Sequence, residues 1–531
     1  MKLGMVKVGE GFGKVWHDIG RGRERINMLK RNNSPKAWGL GLICLSLMVC
    51  AAAANDQPQW GQKHTRNMVY EETNLPESFD VKSGKNVKWT VKLGRQNYAT
   101  PIVSGGRILI GANNELERDP RHKGDRGVLL CLNEADGALC WQLVVPKLED
   151  DEYLDWPLVG MVSPPTVEGD RVYVLTNRAE VLCLDLKGLA DGNDGPYQDE
   201  GRHMTPRGEE LMKPGKLDAD IIWLFDMRKE VGMYPHDEVF SSILLDGDVL
   251  YLNTCNGVDR SHVKNPAPKA PSLIALNKKT GRLLSRDNER IGGMVFHATW
   301  SSPAMGEIGG RDLVFFGGGD GVCYAFEALQ SVAPADFLKR VWRFDCDPTA
   351  PKENIHHYQN NPEVSPSSIK GMPVYHKNRV YVTAGGDIWW GKRKSWLKCI
   401  DATKSGDITE SGQVWSYELN SHSCSTPAIY DGMVFITDCG RTVHCLDTET
   451  GKPYWTHETG GEIWASPVVA DGKVYVGTRR KDFWIFDASR KKKVLCSTEL
   501  DAPVHGAVTP ANGVLYIPTM ETLYAIEKKG K

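Results

Sequence analysis

Across 531 residues the sequence has no adjacent cysteine pair, no CxxC and no CxxCH. Those gaps exclude a thioredoxin-like redox pair and c-type haem attachment. The thirteen cysteines are irregularly spaced, and the eleven beyond residue 54 are an odd number, so they are not a disulfide framework. Long apolar runs are also missing. The best, residues 37–49, is too short to span a bilayer. Nor is there an excess of positive charge: 65 Lys and Arg face 67 Asp and Glu, a net charge of −2. That balance excludes the electrostatic footprint of a nucleic-acid binder.

The short apolar run has a context. Lys30, Arg31 and Lys36 precede it and residues 51–54 are alanines, the pattern of a secretory signal. Residues 1–54 are therefore expected to be a signal peptide, with Met28 an alternative start. The chain is then exported, periplasmic, without a transmembrane span. Leu47 and Cys50 leave lipid anchoring as a minor alternative. Removing this segment, with its nine Lys/Arg and three Asp/Glu, brings the net charge to −8.

What the sequence does have is repetition. Residues 425–455 read STPAIYDGMVFITDCGRTVHCLDTETGKPYW, and residues 465–487 echo them as ASPVVADGKVYVGTRRKDFWIFD. Weaker copies run back to residue 99. A sheet-forming unit of about 40 residues repeated around an axis signals a β-propeller. Eight copies align. Their second strands carry Leu109, Tyr173, Tyr251, Phe315, Tyr381, Phe435, Tyr475 and Tyr516 in one slot. Alternating β-branched and aromatic residues there suit half-buried strands. The third strands carry Cys131, Cys183, Ala275, Ala325, Cys399, Cys445, Ile485 and Ala525. Four cysteines thus share a slot with alanine, as small buried hydrophobes do.

The outer strand brings Trp141, Trp223, Trp342, Trp415 and Trp455, rings large enough to pack across the gap between sheets. The eighth unit lacks an outer strand at the C-terminus. Residues 87–93, VKWTVKL, supply one, with Trp89 in the tryptophan slot. The predicted organisation is an extension at 55–85 and an all-β, eight-bladed propeller of four-stranded antiparallel blades at 86–527. Residues 86–94 close the last blade and leave no open edge.

The segment CLDTETGKPYW, Cys445 to Trp455, resembles the tryptophan-docking repeat of pyrroloquinoline quinone (PQQ)-type propellers, roughly A-x-D-x-x-T-G-x-x-x-W. CLNEADGALCW, Cys131 to Trp141, is a looser copy. Most of the chain is similar to the quinoprotein alcohol dehydrogenase-like superfamily. WSSP at 300–303, GGGDGVCYAFEA at 317–328 and GGDIWWGK at 385–392 resemble exported planctomycete-type members. The resemblance implies one of two arms: PQQ-dependent dehydrogenases, or BamB-like periplasmic proteins that bind partners without a cofactor. A dehydrogenase needs a cation, usually Ca²⁺, to polarise the quinone, and a carboxylate base. The soluble alcohol dehydrogenases add a vicinal disulfide, and none is encoded here. The family's Glu/Asn/Asp metal set is not carried over onto residues of this chain. The repeat specifies fold rather than activity.

Position within the repeat suggests where a ligand would sit. Residues just before the inner strands should line the mouth of the axial channel. They are Tyr98, His236, His297, His422, Trp464 and His505, with Asp237, Glu238 and Glu462 adjacent. The histidines enter from four blades, and neutral imidazole is a common metal donor. The alternative is that they bond backbone in a polar channel. Loops after the second strands face the same end and offer Asn177, Asp320, Asp387, Trp389, Trp390, Arg441 and Arg479. An insertion holds Asp191, Asn193 and Asp194, oxygen ligands at close spacing, or simply a solvated turn. A two-residue hairpin at Asp431-Gly432 would set Cys424 opposite Cys439, within reach of a disulfide if the side chains allow.

The expected function is that of an exported, non-catalytic, monomeric scaffold without a cofactor. It would bind a protein partner, such as a cell-envelope component, or a small ligand at the channel mouth. The alternative is a PQQ- and Ca²⁺-dependent oxidoreductase of the alcohol or sugar dehydrogenase kind.

Overall fold

The computed structural model describes residues 55–529. The signal segment, Met28 and Cys50 lie outside the described residues. Eight sheets follow one another around the chain, each with a core of four antiparallel strands; Val69–Tyr70 and Gly406–Asp407 add a parallel edge strand to two of them. They make an eight-bladed β-propeller. The inner-to-outer strands of blades one to seven occupy residues 102–146, 166–226, 244–286, 304–345, 374–419, 428–458 and 468–499. Blade eight is Thr509–Ala511, Val514–Pro518 and Thr522–Glu527, with Val87–Lys92 hydrogen-bonded to its last strand.

One register runs through all eight blades. Phe435 pairs with Ala428 on the inner side and Cys445 on the outer, and Cys445 in turn faces Trp455. Leu109–Cys131–Trp141 repeats this, as do Tyr173–Cys183–Trp223 and Tyr381–Cys399–Trp415. In blade eight Tyr516 faces Ala525, which faces Trp89. The second strands are not half-buried, as alternation suggested. Met433–Thr437 and Val249–Asn253 are buried at every residue. Neighbouring blades cover both faces of each sheet, so alternation appears in outer strands such as Val87–Lys92, and even there Trp141–Pro146 is buried throughout. The four slot cysteines are fully buried free thiols. Burial pushes Cys183, Cys399 and Cys445 up to about 12, so they are inert at neutral pH.

Each outer-strand tryptophan bridges to the next blade. Trp141 Nε1 donates to the Leu186 carbonyl at 2.8 Å, Trp223 to Lys278 at 2.9 Å, and Trp342 to Ala402 at 3.2 Å. Trp415 donates to Thr448 and Trp455 to Ser489, both at 2.9 Å. Trp89 donates to Glu134 at 3.2 Å, linking blade eight to blade one. The glycine of the receiving turn seats the ring. A Cβ on Gly451 would lie 2.6 Å from Trp415 Cε3, and Gly451 has φ +68°. The T-G of the repeat therefore serves the tryptophan of the preceding blade.

Residues 57–72 cross the inner edges of all eight blades. Gln57 bridges Val103, and Val167 donates to the Pro58 carbonyl. His64 Nε2 meets the Leu245 carbonyl at 3.2 Å; Met305 and Tyr375 donate to the carbonyls of His64 and Thr65. Asn67 accepts from Ile429, Val69–Tyr70 pairs in parallel with Val468–Ala470, and Glu72 accepts from Asn512. Arg66 is wholly buried in this strap. It donates to the carbonyls of Pro303, Trp60 and Ser242, each at 3.0 Å. The strap covers one end of the axial channel.

Candidate functional site

At the axis lies a cavity of about 530 Å³, within the range of small-ligand pockets. Its walls are dominated by indoles. Trp60 comes from the strap, Trp156 from the segment joining blades one and two, and Trp300 and Trp464 from positions just before inner strands. Trp389 and Trp390 come from the loop after the second strand of blade five. The rings meet edge to face: Trp300 and Trp389 at 5.9 Å, Trp389 and Trp464 at 5.8 Å. Such contacts fix the ring orientations. Trp389 is 48% exposed, which marks the open end.

Polar groups enter between the rings. The Arg479 guanidinium lies 4.2 Å over Trp464 and pairs with Glu462 at 2.9 Å. Lys370 Nζ is 4.8 Å from the Trp300 centroid and 2.9 Å from Asp387 Oδ2. The same oxygen is 3.2 Å from His297 Nδ1. Burial opposes the charge on Asp387, but Lys370 and His297 hold its carboxyl well below the usual range. Burial would also lower His297, yet Asp387 and Asp237 raise it to about 9. Glu238 has no such partner. Burial, with Asp237 beside it, pushes it up to about 8, so the carboxyl is mainly protonated at neutral pH. His505, packed edge-on against Tyr98 at 4.7 Å and Trp464 at 5.2 Å, is driven down to about 3 by burial and Arg479.

The predicted site residues divide. Tyr98, His297, Trp464, His505 and Arg479 line the cavity. His236 lies behind its wall, with Nε2 3.1 Å from His262 Nε2, and Asp387 stands behind His297. The others are elsewhere. His422 is turned to the Gly386 carbonyl, Asn177 donates to Asp155 at 2.7 Å, and Asp320 accepts from Tyr324 at 2.6 Å. Arg441 pairs with Glu458 on the surface. The loop at 191–194 does not assemble a cation site: Asp191 pairs with Lys187, Asn193 bonds Glu200 and Gln198, and the Asp194 amide is capped by Asp220. Cys424 and Cys439 fall opposite by register but are free thiols. His262, Lys370, Trp60 and Tyr153 were not foreseen. They sit on the strap and the insertions, outside the repeat's phase.

The charged oxygen donors facing the cavity are few. Calcium takes six to eight oxygens. Among the described lining residues only Asp237 and Glu238 bring carboxylates, and the other convergent donors are imidazoles. The set does not fit a Ca²⁺–quinone centre.

A family profile described as outer membrane protein assembly factor BamB matches residues 68–188, 339–463 and 393–494, just over half of the chain. Among curated proteins, a 1-butanol dehydrogenase (cytochrome c) of Thauera butanivorans is 35% identical over 98 residues, 16% of this chain and 14% of that protein. A quinohemoprotein alcohol dehydrogenase of Comamonas testosteroni is 30% identical over 108 residues, 18% of this chain and 15% of that protein. The match thus spans about one seventh of each relative's length. The crystal structure of quinohemoprotein alcohol dehydrogenase from Comamonas testosteroni superposes with a TM-score of 0.56 at 11% identity, covering 90% of this chain and 81% of that one. That likeness concerns the fold. No helix among the described residues is long and apolar enough to cross a membrane.

Proposed function

The chain belongs to the PQQ-like repeat family described as outer membrane protein assembly factor BamB, and from that premise we propose an exported, non-catalytic binding propeller whose axial cavity holds a saccharide. The observation that carries this reading is the wall of Trp60, Trp156, Trp300, Trp389, Trp390 and Trp464 around a cavity covered at one end. A sugar ring has apolar C–H faces that lie against indoles. Its hydroxyl edges need donors and acceptors, which Tyr98, Glu238 and Arg479 supply. Glu238, largely protonated, donates as well as accepts. The size suits one or two sugar units better than a protein partner, which would bury a far larger surface.

The second reading, a PQQ- and Ca²⁺-dependent oxidoreductase, draws support from the two dehydrogenase relatives. The oxygen-poor donor set at the cavity weighs against it.

Tryptophan fluorescence titration with neutral mono- and disaccharides, and separately with PQQ plus CaCl₂, tests the choice. Saturable quenching by a sugar at one site per chain, lost in Trp464→Ala, is the expected result. Saturation by PQQ–Ca²⁺ with silence toward every sugar would reverse the assignment.

A further inference from the structure

We propose that His236, His262 and His297, with the carboxylate of Asp237, bind one divalent late first-row transition metal, zinc foremost, in the wall of the axial cavity. This goes beyond the saccharide reading and does not depend on it. At Zn–N distances of about 2.0–2.1 Å, a tetrahedral ion sets its donors about 3.3–3.4 Å apart. His236 Nε2 lies 3.1 Å from His262 Nε2 and 3.6 Å from Asp237 Oδ1. Asp237 Oδ2 lies 3.4 Å from His297 Nε2. One ring nitrogen of each imidazole is within 4.8 Å of the other two. The His236–His262 edge is near that length, the other imidazole edges are no longer than 4.8 Å, and Asp237 reaches His236 and His297 through different oxygens.

Independent of this spacing, His297 Nε2 is buried and makes no hydrogen bond in good geometry, in a side chain 3% exposed. Its other nitrogen is held by Asp387, which Lys370 anchors in turn. A carboxylate behind an imidazole is the usual support of a metal ligand, because it orients the ring; the metal would displace the Nε2 proton that faces Asp237 in its absence. Three chain segments converge here. His236 and Asp237 precede blade three, His297 precedes blade four, and His262 comes from the insertion between the second and third strands of blade three. Asp237 and His262 both hold left-handed backbone, φ 57° and 56°, a strain kept where surroundings over-determine it.

The surroundings are aromatic. His262 packs 5.0 Å from Tyr153 and from Trp390, and His297 5.1 Å from Trp300 and 5.2 Å from Trp389. Three imidazoles and one carboxylate suit zinc and its neighbours rather than calcium or magnesium. The other histidine–carboxylate cluster, Asp119, His122 and Asp218, differs. There Arg121 already pairs with both carboxylates.

The test uses the whole protein purified without chelator and dialysed. Titration calorimetry with ZnCl₂ and elemental analysis should give one zinc per chain. Co²⁺ should give the intense visible absorption of a tetrahedral site. His262→Ala and His297→Gln should each weaken zinc binding at least tenfold, while His376→Ala, on the inner strand of blade five, leaves it unchanged. Far-UV circular dichroism confirms that the variants fold; His262, on an insertion, is the change the fold should tolerate best. Folded wild type with no saturable zinc binding would overturn the proposal, as would His262→Ala binding zinc like the parent.

Discussion

Consider replacing Gly451 with alanine in two backgrounds, the natural chain and Trp415→Ala. Gly451 has φ +68°, and an added methyl would sit 2.6 Å from Trp415 Cε3, 2.7 Å from Cδ2 and 3.1 Å from Cγ, all three atoms of one ring. Left-handed backbone costs alanine about 1–2 kcal/mol. Pressing a methyl into a packed ring adds about 1–3 kcal/mol. Trp415→Ala alone should cost about 3–5 kcal/mol, because the ring is 7% exposed and its N–H satisfies the Thr448 carbonyl at 2.9 Å. In the double variant the steric part vanishes and only the backbone part persists. Gly451→Ala should then cost about 1–3 kcal/mol less than in the natural chain. Gly472 is the control: it has φ +65° but open space around it, so Gly472→Ala should show only the backbone cost and no coupling to Trp415. Guanidinium unfolding followed by circular dichroism, with midpoints compared at constant slope, reads these differences. Additivity of Gly451→Ala and Trp415→Ala within about 0.5 kcal/mol would refute the idea that the turn glycine exists to seat the neighbouring blade's indole.

Three further outcomes follow from the same structure. Arg66→Met should destabilise the fold by about 3–5 kcal/mol, because the carbonyls of Pro303, Trp60 and Ser242 lose their buried donor; a thermal midpoint equal to the parent's would show that the strap does not hold the blades. Trp300→Ala and Trp464→Ala should each weaken saccharide binding at least tenfold with little change in melting, whereas Trp455→Ala, an outer-strand ring, should lower melting and spare affinity; the reverse pattern would relocate the site. Burial raises Asp320 from 3.8 to about 6. The folded state therefore binds the proton more tightly than the unfolded chain, and stability falls as pH rises from about 4 to 6, by at most about 3 kcal/mol. In Asp320→Asn that component is absent, so the variant's stability relative to the parent should climb across this window; a pH-independent difference would contradict the shift.

The repeat made the fold legible because a residue's place in the blade is fixed by strand pairing alone. Phe435, Cys445 and Trp455 could be aligned with Tyr516, Ala525 and Trp89 across most of the chain, and those residues face one another in the sheets. Positions before inner strands were legible for the same reason, which is how His297, Trp464 and His505 came to be placed at the axis. The phase said less about loops. Asn177 and Asp320 follow second strands but bond within their own surroundings, to Asp155 and Tyr324. Insertions carry no phase at all, so His262 and Tyr153 gave no signal. Trp60 and Arg66 lie before the first repeat, and only the folded chain brings them beneath the blades. Burial of the second strands on both faces was also hidden, because alternation within one strand cannot report the sheet packed against it.

The most direct measurement is native mass spectrometry, with an absorbance spectrum, on the protein isolated from its own cells. The account predicts a colourless protein whose releasable small molecule, if it retains one, has a saccharide mass, and which in either case takes up one added saccharide per chain. A stoichiometric quinone in the cavity, with its visible absorption, would contradict it.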